Sequence, residues 1–343
     1  MKIAKARSPL RLGLAGGGTD VSPYCDIFGG KVVNATIDRY TYATTSISTT
    51  QTSTLTSFDQ KVSLEVEFRE NLNDVSVNNS VLLHFETVKY FQKKYLDSEK
   101  TDLNVETWSE APRGSGLGGS SSIVVAILSS LASLFEISLT PSDIALDAVI
   151  VERIICGFDG GKQDHYASAF GGLNFMTFEK SNFTDVKPIS VSQNFLLELE
   201  SRILLFDTGI SRVSADIISN QSRGVQKEDL SVINAMHGMK DEAVKMYQAM
   251  ETESFDSFNS ALENGRRFKR ATSKMVETSR LQEILEVAIS AGATTGKVSG
   301  AGGGGFAMLL VDLSKRAKVI EALIPYSGTV SNCHFTFQGV ETW

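Results

Sequence analysis

The chain has 343 residues, enough for two domains of ordinary size, and 42% of them are hydrophobic while 21% are charged. A formal net charge of -7 gives no electrostatic reason to expect nucleic acid or an anionic membrane as a partner. The three cysteines are too few and too widely spaced for a disulfide framework or a thiol-rich zinc site, and we expect reduced core residues at Cys25, Cys156 and Cys333. The first residues lack the apolar segment of a secretory signal, and no apolar run is long enough to span a bilayer. These features predict a cytoplasmic protein.

The first 70 residues are predicted to form a β-rich layer. Three segments there are rich in Val, Thr, Ile and Tyr and alternate in places, namely 31–37, 40–48 and 62–68. Helical periodicity follows over residues 81–96, and segment 103–108 predicts a further strand. The opening of the chain is therefore expected to supply most of one sheet and a helix packed on it.

The middle of the chain is predicted to be helical after a glycine-rich turn. Residues 120–135 are apolar on nearly every side, which predicts a buried helix. A second helix is expected from Pro141 to Gly157, with Thr140 or Ser142 as its N-cap. Segment 160–172 then predicts a loop that leads into a short helix between two glycine pairs.

The second half of the chain is predicted to be strand, helices, and then strand, helix and strand. Residues 203–209 predict a buried strand and residues 211–292 are mostly helical in pattern. The charged run 263–270 is expected to be a solvated helix face. The residues alone indicate a mixed α/β fold of two lobes, and the change in pattern near residue 195 predicts two domains, 1–195 and 196–343.

Three glycine-rich loops stand far apart in the sequence, at 14–20, 112–122 and 299–306. Glycines let a backbone approach a ligand closely and turn its N–H groups toward anionic oxygens. The middle loop also runs directly into a predicted helix, whose N-terminus adds a positive end. The first or the third loop taken alone is compatible with a tight turn between packed elements. The middle loop is therefore the better candidate for a phosphate site.

The middle loop also matches the dinucleotide pattern G-x-G-x-x-G at Gly114, Gly116 and Gly119. That reading requires an apolar parallel strand before the loop, whereas the preceding segment alternates polar and apolar residues and ends in Pro112. A nucleotide P-loop requires a lysine after its last glycine, and Ser120 stands there instead. The pattern favours a phosphate loop without that lysine. A serine hydroxyl in the first helical turn can ligate Mg²⁺, with helix capping as its alternative role.

Two carboxylates downstream of the middle loop are candidates for chemistry. A magnesium site near Ser120 would need a carboxylate, and a kinase acting on a hydroxyl can use a second one to accept the proton. Glu152 lies late in an apolar helix face, where a charge is costly unless it is paired or metal-bound. Asp164 lies in a glycine-flanked loop beside Lys162. The alternative for Glu152 is an ion pair with Arg153 or another cation.

The three loops in this order, with the segment GKQD (161–164) between the second and the third, resemble the motif set of the GHMP kinases. The resemblance extends from about residue 2 to about residue 337. It implies an ATP-dependent kinase with two α/β domains and an active site in the cleft between them. The implied N-terminal, ATP-binding domain has a βαβ unit of left-handed crossover, and the implied C-terminal domain is a ferredoxin-like α+β unit.

The resemblance also implies roles for single residues. Ser120 and Glu152 correspond to ligands of Mg²⁺, and Asp164 corresponds to the catalytic base or the group that orients the sugar hydroxyl. Arg11 falls where galactokinase-like members place a cation near the reacting hydroxyl and the γ-phosphate. The implied ATP-binding residues are Arg113, Gly114, Ser115, Gly116, Leu117, Gly118, Gly119, Ser120 and Ser121.

For the substrate, Asp20 resembles the sugar-contacting Asp of the galactokinase signature. Galactokinases carry Gly-Glu-His before the Thr-Asp pair, whereas this chain has three glycines there, which argues against galactose as the substrate. The third glycine loop is expected to complete the wall between substrate and nucleotide. The implied substrate-binding residues are Gly17, Gly18, Thr19, Asp20, Lys162, Gly302 and Gly303.

Within the family, segments 8–24 and 161–172 are most similar to the branch that phosphorylates the anomeric hydroxyl of heptose 7-phosphates, in the synthesis of GDP-heptose for surface polysaccharide. The implied partners are ATP, Mg²⁺ and a sugar phosphate, for a monomer or homodimer. Fucokinase- or galactokinase-like activity, a non-catalytic sugar- and ATP-binding regulator and a Rossmann oxidoreductase are the alternatives. Candidate cations for the far phosphate are Arg7, Lys31, Arg39 and Lys162, with solvated charges as their alternative.

Overall fold

The structure is a computed structural model that describes residues 2–50, 52–67, 81–97, 101–181, 183–210 and 214–343. Its strands in chain order are β1 (Ile3–Ala15), β2 (Gly30–Ile47), β3 (Ser53–Ser57), β4 (Val62–Val66), β5 (Leu103–Ser109), β6 (Leu173–Phe178), β7 (Thr184–Pro188), β8 (Ile203–Asp207), β9 (Ala293–Val298), β10 (Phe306–Val311), β11 (Thr329–Asn332) and β12 (Glu341–Thr342). Its α-helices are α1 (Tyr24–Phe28), α2 (Leu82–Tyr95), α3 (Gly119–Leu134), α4 (Pro141–Val149), α5 (Gln163–Phe170), α6 (Gln193–Arg202), α7 (Ser214–Gln226), α8 (Leu230–Glu251), α9 (Phe255–Thr272), α10 (Ser279–Ala291) and α11 (Arg316–Leu323). Residue 68 and residues 211–213, which fall within two predicted segments, lie outside the described residues.

The larger sheet orders its strands β12-β1-β2-β5-β3-β4, and β6 pairs with both β2 and β7. Segments 31–37 and 40–48, predicted as separate strands, form the single strand β2. Along one edge β2 pairs with β1. Along the other edge its first half pairs with β6 and its second half with β5. Asp38 and Arg39 have no partner on β1, because the register shifts between Pro9 and Leu10. Residues 38 and 39, which separate the two predicted strands, therefore form a bulge within one strand.

Helix α3 is buried against the larger sheet, as its apolar sequence predicts. It contacts β1 and β2 on one side and α2, α4 and α5 on the others. Val124, Val125, Ile127 and Leu128 are fully buried, and each such side chain contributes about 1.5–3 kcal/mol to folding. The middle glycine loop thus leads into a helix that is held on every side.

The predicted second helix begins where expected but ends differently. Thr140 caps α4 in a capping box with Asp143, so of the two proposed caps Thr140 is correct. The α-helix ends at Val149 and continues as a π-helical turn from Ile150 to Ile155. Such turns widen a helix locally and are frequent at functional sites. Glu152 lies within this turn.

The smaller sheet has the strand order β11-β8-β10-β9 and is antiparallel throughout. Helices α7 to α10 connect β8 to β9, and α11 connects β10 to β11. This β-α-β-β-α-β arrangement is the ferredoxin-like one, as the resemblance implies. Short 3₁₀ turns at Leu313–Lys315 and Ile324–Tyr326 flank α11.

The charged run 263–270 is only partly the solvated helix face that was expected. Arg266 and Lys269 of α9 are buried. Arg266 can be buried because its Nε lies 2.8 Å from the carboxylate of Glu277. Lys269 donates from its ammonium group to the carbonyl of Gly300. The prediction was wrong for these two residues and holds for the exposed Glu263, Arg267 and Arg270.

One hydrophobic core joins the two sheets. Leu12 of β1 and Val33 of β2 share a cluster of buried side chains with Met246 of α8 and Phe258 of α9. Phe195, at the predicted domain boundary, is buried in the same cluster. The boundary therefore stays a prediction.

The cysteines agree with the expectation of core residues in part, because one of the three is only half-buried. Cys25 and Cys333 are buried, Cys156 is half-buried, and all three are free thiols. Burial raises the pKa of the Cys25 and Cys156 thiols to about 12. Among the helices of the described ranges, none combines the length and the apolar character that crossing a bilayer requires.

Candidate active site

The middle glycine loop delivers an uncapped helix N-terminus. Gly114, Gly116 and Gly118 have φ of 77°, 75° and 85°, in the left-handed region that favours glycine. Helix α3 then begins at Gly119, and no side chain caps its first N–H groups. Free N–H groups and the positive end of a 16-residue helix together favour an anion. This geometry supports the predicted phosphate loop.

Arg11 and Asp164 form a pair that lies against this loop. Nε and a terminal nitrogen of Arg11 each lie 2.6 Å from Oδ1 of Asp164. The guanidinium also donates to the carbonyl of Gly116. The side chains are 5% and 18% exposed, respectively. Oδ2 of Asp164 faces Gly118, where an added Cβ would lie 3.3 Å away. One carboxylate oxygen is therefore held by Arg11 and the other is directed toward the phosphate loop.

Asp20 joins the first glycine loop to the start of α5. Its carboxylate accepts hydrogen bonds from the backbone N–H groups of Gly18 (2.9 Å) and Gln163 (3.0 Å) and from the Gln163 side-chain amide (3.2 Å). An added Cβ at Gly161 would lie only 2.0 Å from Oδ2 of Asp20. Asp20 is fully buried, so in this structure its carboxylate is committed to the chain's own donors. Its contact with a sugar stays a prediction.

Two of the three consecutive glycines of the first loop, Gly16 and Gly18, are required by the backbone conformation or by close packing. Gly16 has φ of 76°, and an added Cβ would lie 1.9 Å from the carbonyl oxygen of Lys31. Gly18 has φ of 114°, which strains any residue with a side chain. The Thr19 hydroxyl accepts from the backbone N–H of Lys31 and donates to the carbonyl of Gly16. Histidine, which the galactokinase signature places at Gly18, would be strained on this backbone.

The third glycine loop packs directly on the phosphate loop. The Ser299 hydroxyl donates to the carbonyl of Gly116 at 3.0 Å, and the Phe306 N–H donates to the carbonyl of Ser115 at 3.0 Å. An added Cβ at Gly300 would lie 2.7 Å from the Cα of Gly116. The smaller sheet therefore contributes a wall of the site, as the resemblance implies.

Gly302 and Gly303 lie on the far side of that wall. The N–H of Gly303 donates to the carbonyl of Val276 at 2.8 Å. An added Cβ at Gly302 would lie 2.5 Å from the same carbonyl oxygen. Both glycines are buried, whereas Ser299 and Gly300 make the contact with the phosphate loop. Substrate contact at Gly302 and Gly303 stays a prediction.

Glu152 is the centre of a buried polar cluster. Its Oε2 accepts hydrogen bonds from the Ser121 hydroxyl at 2.7 Å and from Nε2 of His165 at 2.6 Å. Its Oε1 lies 3.3 Å from the Arg153 guanidinium. Burial alone would raise the pKa of Glu152, but Arg153, His165 and Ser121 outweigh it and hold that pKa well below its ordinary value. The ion pair with Arg153, one of the two alternatives for Glu152, is present. The carboxylate also lies beside the first turn of α3, where the other alternative, a magnesium site, would require it.

The other predicted site residues differ in placement. Ser120 and Arg113 are exposed, the former on the first turn of α3. Leu117 is buried, and its carbonyl accepts from the backbone N–H of Arg11 at 3.0 Å. Lys162 lies 3.4 Å from Asp26 of α1, so its ammonium group is directed toward that helix.

Three of the four cations proposed for a far phosphate have partners elsewhere. Arg7 pairs with Glu341 at 2.6 Å, and Arg39 donates to the Ser331 hydroxyl at 2.8 Å. Lys162 pairs with Asp26 as described above. Lys31 lies 6.0 Å from the ring centroid of Phe175 and lines a cavity of about 450 Å³ together with residues of α1 and the end of β6.

Sequence reasoning missed two lysines at the site. Lys269 of α9 reaches the third glycine loop at Gly300, and Nζ of Lys297 in β9 lies 3.0 Å from the carbonyl oxygen of Gly13. Burial lowers the pKa of Lys269 to about 8 and that of Lys297 to about 7. The position of Lys297 two residues before the third glycine loop was a usable signal. Nothing local distinguishes Lys269 from its exposed neighbours.

The sequence analysis also assigned no role to Gln163, within the GKQD segment, or to His165, directly after it. His165 holds Glu152, as described. Gln163 is buried and binds Asp20, while its Oε1 has no hydrogen-bond partner among the residues that the structure describes. A buried acceptor without a partner costs about 1–3 kcal/mol, which a donor on a bound ligand would offset.

Comparison with protein families identifies the architecture. Residues 83–172 match the family described as GHMP kinases N terminal domain, and residues 246–328 match GHMP kinases C terminal. A D-glycero-alpha-D-manno-heptose 7-phosphate kinase of Campylobacter jejuni is 38% identical over 344 aligned residues, which cover 100% of this chain and 99% of the relative.

Two solved structures share the whole fold. A D-glycero-D-manno-heptose 1-phosphate kinase from Bacteroides thetaiotaomicron superposes with a TM-score of 0.81 at 30% identity, covering 99% of this chain and 98% of the other. A putative sugar kinase from Campylobacter jejuni superposes with a TM-score of 0.80 at 34% identity, covering 100% and 98%. Together with the family matches and the three glycine loops around Arg11 and Asp164, this full-length similarity shows that the chain belongs to the GHMP kinase family.

Proposed function

We propose that this GHMP kinase transfers the γ-phosphoryl group of ATP, with Mg²⁺, to the anomeric hydroxyl of D-glycero-D-manno-heptose 7-phosphate. The products are the 1,7-bisphosphate and ADP, in a cytoplasmic route to GDP-heptose for surface polysaccharide. The observation that carries the proposal is the Arg11–Asp164 pair, which lies against an uncapped helix N-terminus. The heptose in the names of two full-length relatives supports this choice of sugar.

The pair provides the two functions that transfer to a hydroxyl needs. Oδ2 of Asp164 is the oxygen that Arg11 leaves available, so it can accept the hydroxyl proton or hold the hydroxyl in line. Arg11 lies between this carboxylate and the carbonyl of Gly116 in the phosphate loop. Its positive charge is placed to stabilise negative charge on the transferred group. The anomeric oxygen bonds to phosphorus while the bond from phosphorus to the β–γ bridging oxygen breaks.

The phosphate loop and the wall supply binding. The N–H groups at the start of α3 are free to donate to phosphate oxygens. The contact between Ser299 and Gly116 fixes the position of the wall against the loop. Phosphoryl transfer depends mostly on such positioning and charge neutralisation.

For Mg²⁺, the proposed ligands are Ser120 and Glu152. Hydroxyl and carboxylate oxygens are hard ligands of the kind that Mg²⁺ prefers, and the ion usually keeps water and phosphate oxygens as further ligands. Glu152 is buried as a carboxylate beside the first turn of α3, which fits this role. A bound Mg²⁺ would neutralise charge on the triphosphate. Its contact with Glu152 would compete with Arg153, which lies 3.3 Å from Oε1.

A substrate panel tests the proposed function. ADP release would be measured with heptose 7-phosphate, heptose 1-phosphate, unphosphorylated heptose, fucose, galactose and mevalonate, each with ATP and Mg²⁺. We expect turnover with heptose 7-phosphate, and phosphorus NMR should show a second phosphate at the anomeric carbon. Omission of Mg²⁺ should abolish turnover. Turnover only with another sugar would overturn the substrate assignment, and binding of ATP without turnover of any sugar would favour a regulator.

A further inference from the structure

Two lysines near the glycine loops donate to backbone carbonyls. Nζ of Lys297 donates to the carbonyls of Gly13 (3.0 Å) and Leu14 (3.2 Å). The ammonium group of Lys269 donates to the carbonyl of Gly300. In the described part of the chain, neither group has a carboxylate within ion-pair distance. Lys269 is buried and Lys297 is half-buried. Buried lysines are almost always paired, so this arrangement needs an explanation.

The charges around these lysines do not balance. When protonated, Arg11, Lys269 and Lys297 supply three cations, while Asp20 and Asp164 supply two carboxylates. Arg11 already takes Oδ1 of Asp164, and Asp20 accepts hydrogen bonds from three N–H donors. Lys297 is therefore opposed by Lys269 and Arg11 and is favoured by backbone carbonyls alone. Such a cluster is stabilised when an anion enters it.

The elements around Lys297 offer no other compensating charge. From β1 it faces Arg11, and from α9 it faces Lys269. Glu263 of α9 is bound to the hydroxyl of Thr295. Strand β10 carries no charged residue, and the charged residues of α10, namely Arg280, Glu283 and Glu286, are exposed.

We propose that Lys269 and Lys297 form, with Arg11, a phosphate-binding subsite at the base of the cleft. Its ligand is a phosphate group of the reactants, which is either the γ-phosphoryl group of ATP or the phosphate carried by the sugar. The inference rests on the proposed function for the identity of those reactants. Lys297 contacts residues 13 and 14, which lie between Arg11 and the glycines of the first loop, so the subsite borders both reactants.

The subsite makes ligand binding depend on protons. Burial lowers the pKa of Lys297 to about 7, so at pH 8 most of its amine is neutral in the free protein. A phosphate beside it favours the ammonium form, and the amine then takes up a proton from solvent. A ligand without that phosphate leaves the amine unchanged.

Calorimetry at pH 8 in two buffers of different ionisation enthalpy measures this uptake. Two pairs would be compared, ATP against ADP with Mg²⁺, and heptose 7-phosphate against heptose, each without the second substrate. We expect proton uptake with one phosphate-bearing member and not with its counterpart. Lys297→Met should lower the uptake to the part that Lys269 contributes, since burial lowers the pKa of Lys269 to about 8. It should also weaken that ligand at least about tenfold, while the affinity for the counterpart changes less than about twofold.

Two further variants separate charge from structure. Lys297→Arg keeps the cation but does not titrate near pH 8, so it should retain most of the affinity and lower the proton uptake as much as Lys297→Met does. Lys269→Met should weaken the same ligand as Lys297→Met. Lys318→Met, at an exposed position of α11, is the matched control and should change neither quantity. Circular dichroism would verify that each variant is folded.

The pair that responds identifies the source of the phosphate. If the two Met variants no longer bind ATP more tightly than ADP, the subsite holds the γ-phosphoryl group. If they no longer bind heptose 7-phosphate more tightly than heptose, it holds the sugar phosphate. If folded Lys269→Met and Lys297→Met bind all four ligands as the unmodified chain does, the proposal is overturned. If the unmodified chain binds ATP but not heptose 7-phosphate, the proposed substrate is wrong, and the ATP arm still tests the subsite.

Discussion

Glu152 and Asp164 are two carboxylates near the phosphate loop that differ in how many of their oxygens have partners within the protein. Glu152 is bound on both oxygens, by Ser121 and His165 on one and by Arg153 on the other. Asp164 is held on one oxygen by Arg11, and its other oxygen faces Gly118. A carboxylate whose oxygens are all engaged is fixed in place, whereas one with a directed oxygen available can act on a substrate. We therefore call Glu152, the proposed Mg²⁺ ligand, the structural anion and Asp164, the proposed base, the reactive anion.

The largest expected effect is the removal of the reactive anion. Asp164→Asn keeps the shape of the side chain but removes its charge and its ability to accept a proton. We expect kcat to fall about 10²- to 10⁴-fold, with little change in ATP affinity. Single-turnover rates and ATP titration would measure the two quantities. An unchanged kcat would show that Asp164 neither accepts nor orients the hydroxyl.

The next effect is the removal of the structural anion. Glu152→Gln leaves Arg153 and His165 without their buried carboxylate, which costs about 3 kcal/mol of unfolding free energy. Urea denaturation at pH 7 would measure this loss. Asp164→Asn, at a less buried position, is the matched control and should cost less. An equal or smaller loss for Glu152→Gln would contradict the division between the two carboxylates.

The pH dependence of that loss follows from the lowered pKa of Glu152. Burial opposes the charge, but Arg153, His165 and Ser121 favour it more strongly. The stabilisation is fully present above the ordinary glutamate pKa of about 4.3 and is lost as pH falls through the lower folded value. The difference in unfolding free energy between the unmodified chain and Glu152→Gln should therefore be constant near neutral pH and shrink in strong acid. A difference that grows on acidification would show that the sign is wrong.

A smaller effect is expected at the glycine between Asp164 and helix α3. Gly118→Ala places a Cβ 3.3 Å from the Asp164 carboxylate at a φ of 85°, so it strains the backbone and displaces the reactive oxygen. We expect a loss of about 1–2 kcal/mol in stability and about a tenfold lower kcat. Gly119→Ala is the stability control, because its Cβ would meet only the Ser109 hydroxyl at 4.0 Å. Thermal unfolding of both variants would measure the contrast.

The smallest effects separate the two serines of the first helical turn. Ser121→Ala removes a hydrogen bond to the buried Glu152 and should cost about 1.5 kcal/mol. Ser120→Ala, at an exposed position, should change stability by less than about 0.5 kcal/mol. If Ser120 ligates Mg²⁺, only Ser120→Ala should raise the Mg²⁺ concentration for half-maximal turnover. The reverse pattern would move the metal to Ser121.

Local sequence was sufficient for elements that depend on neighbouring residues. The cap at Thr140, the buried helix α3 and the short helix α5 follow from spacing within a few residues. The glycine loops could also be recognised in the sequence, because the φ values at Gly116 and Gly118 favour glycine at those positions.

Features that depend on distant partners were not readable. The burial of Arg266 depends on Glu277, and that of Lys269 on Gly300, so a charged run gives no sign of either. The π-helical turn around Glu152 depends on packing against α2 and α3. The Arg11–Asp164 contact joins residues 153 positions apart and was implied only by resemblance.

Strand β2 has a consequence for how the cleft can open. It pairs directly with β1, β5 and β6, which precede or follow the first loop, the phosphate loop and α5. Arg11, Gly118 and Asp164 are therefore parts of one rigid body. The third loop belongs to the smaller sheet and meets that body through Ser299 and Phe306 at the phosphate loop and through Lys297 at β1. A movement of the third loop that releases product would break these contacts and leave the proposed catalytic pair assembled for the next cycle, while the shared hydrophobic core keeps the two sheets together.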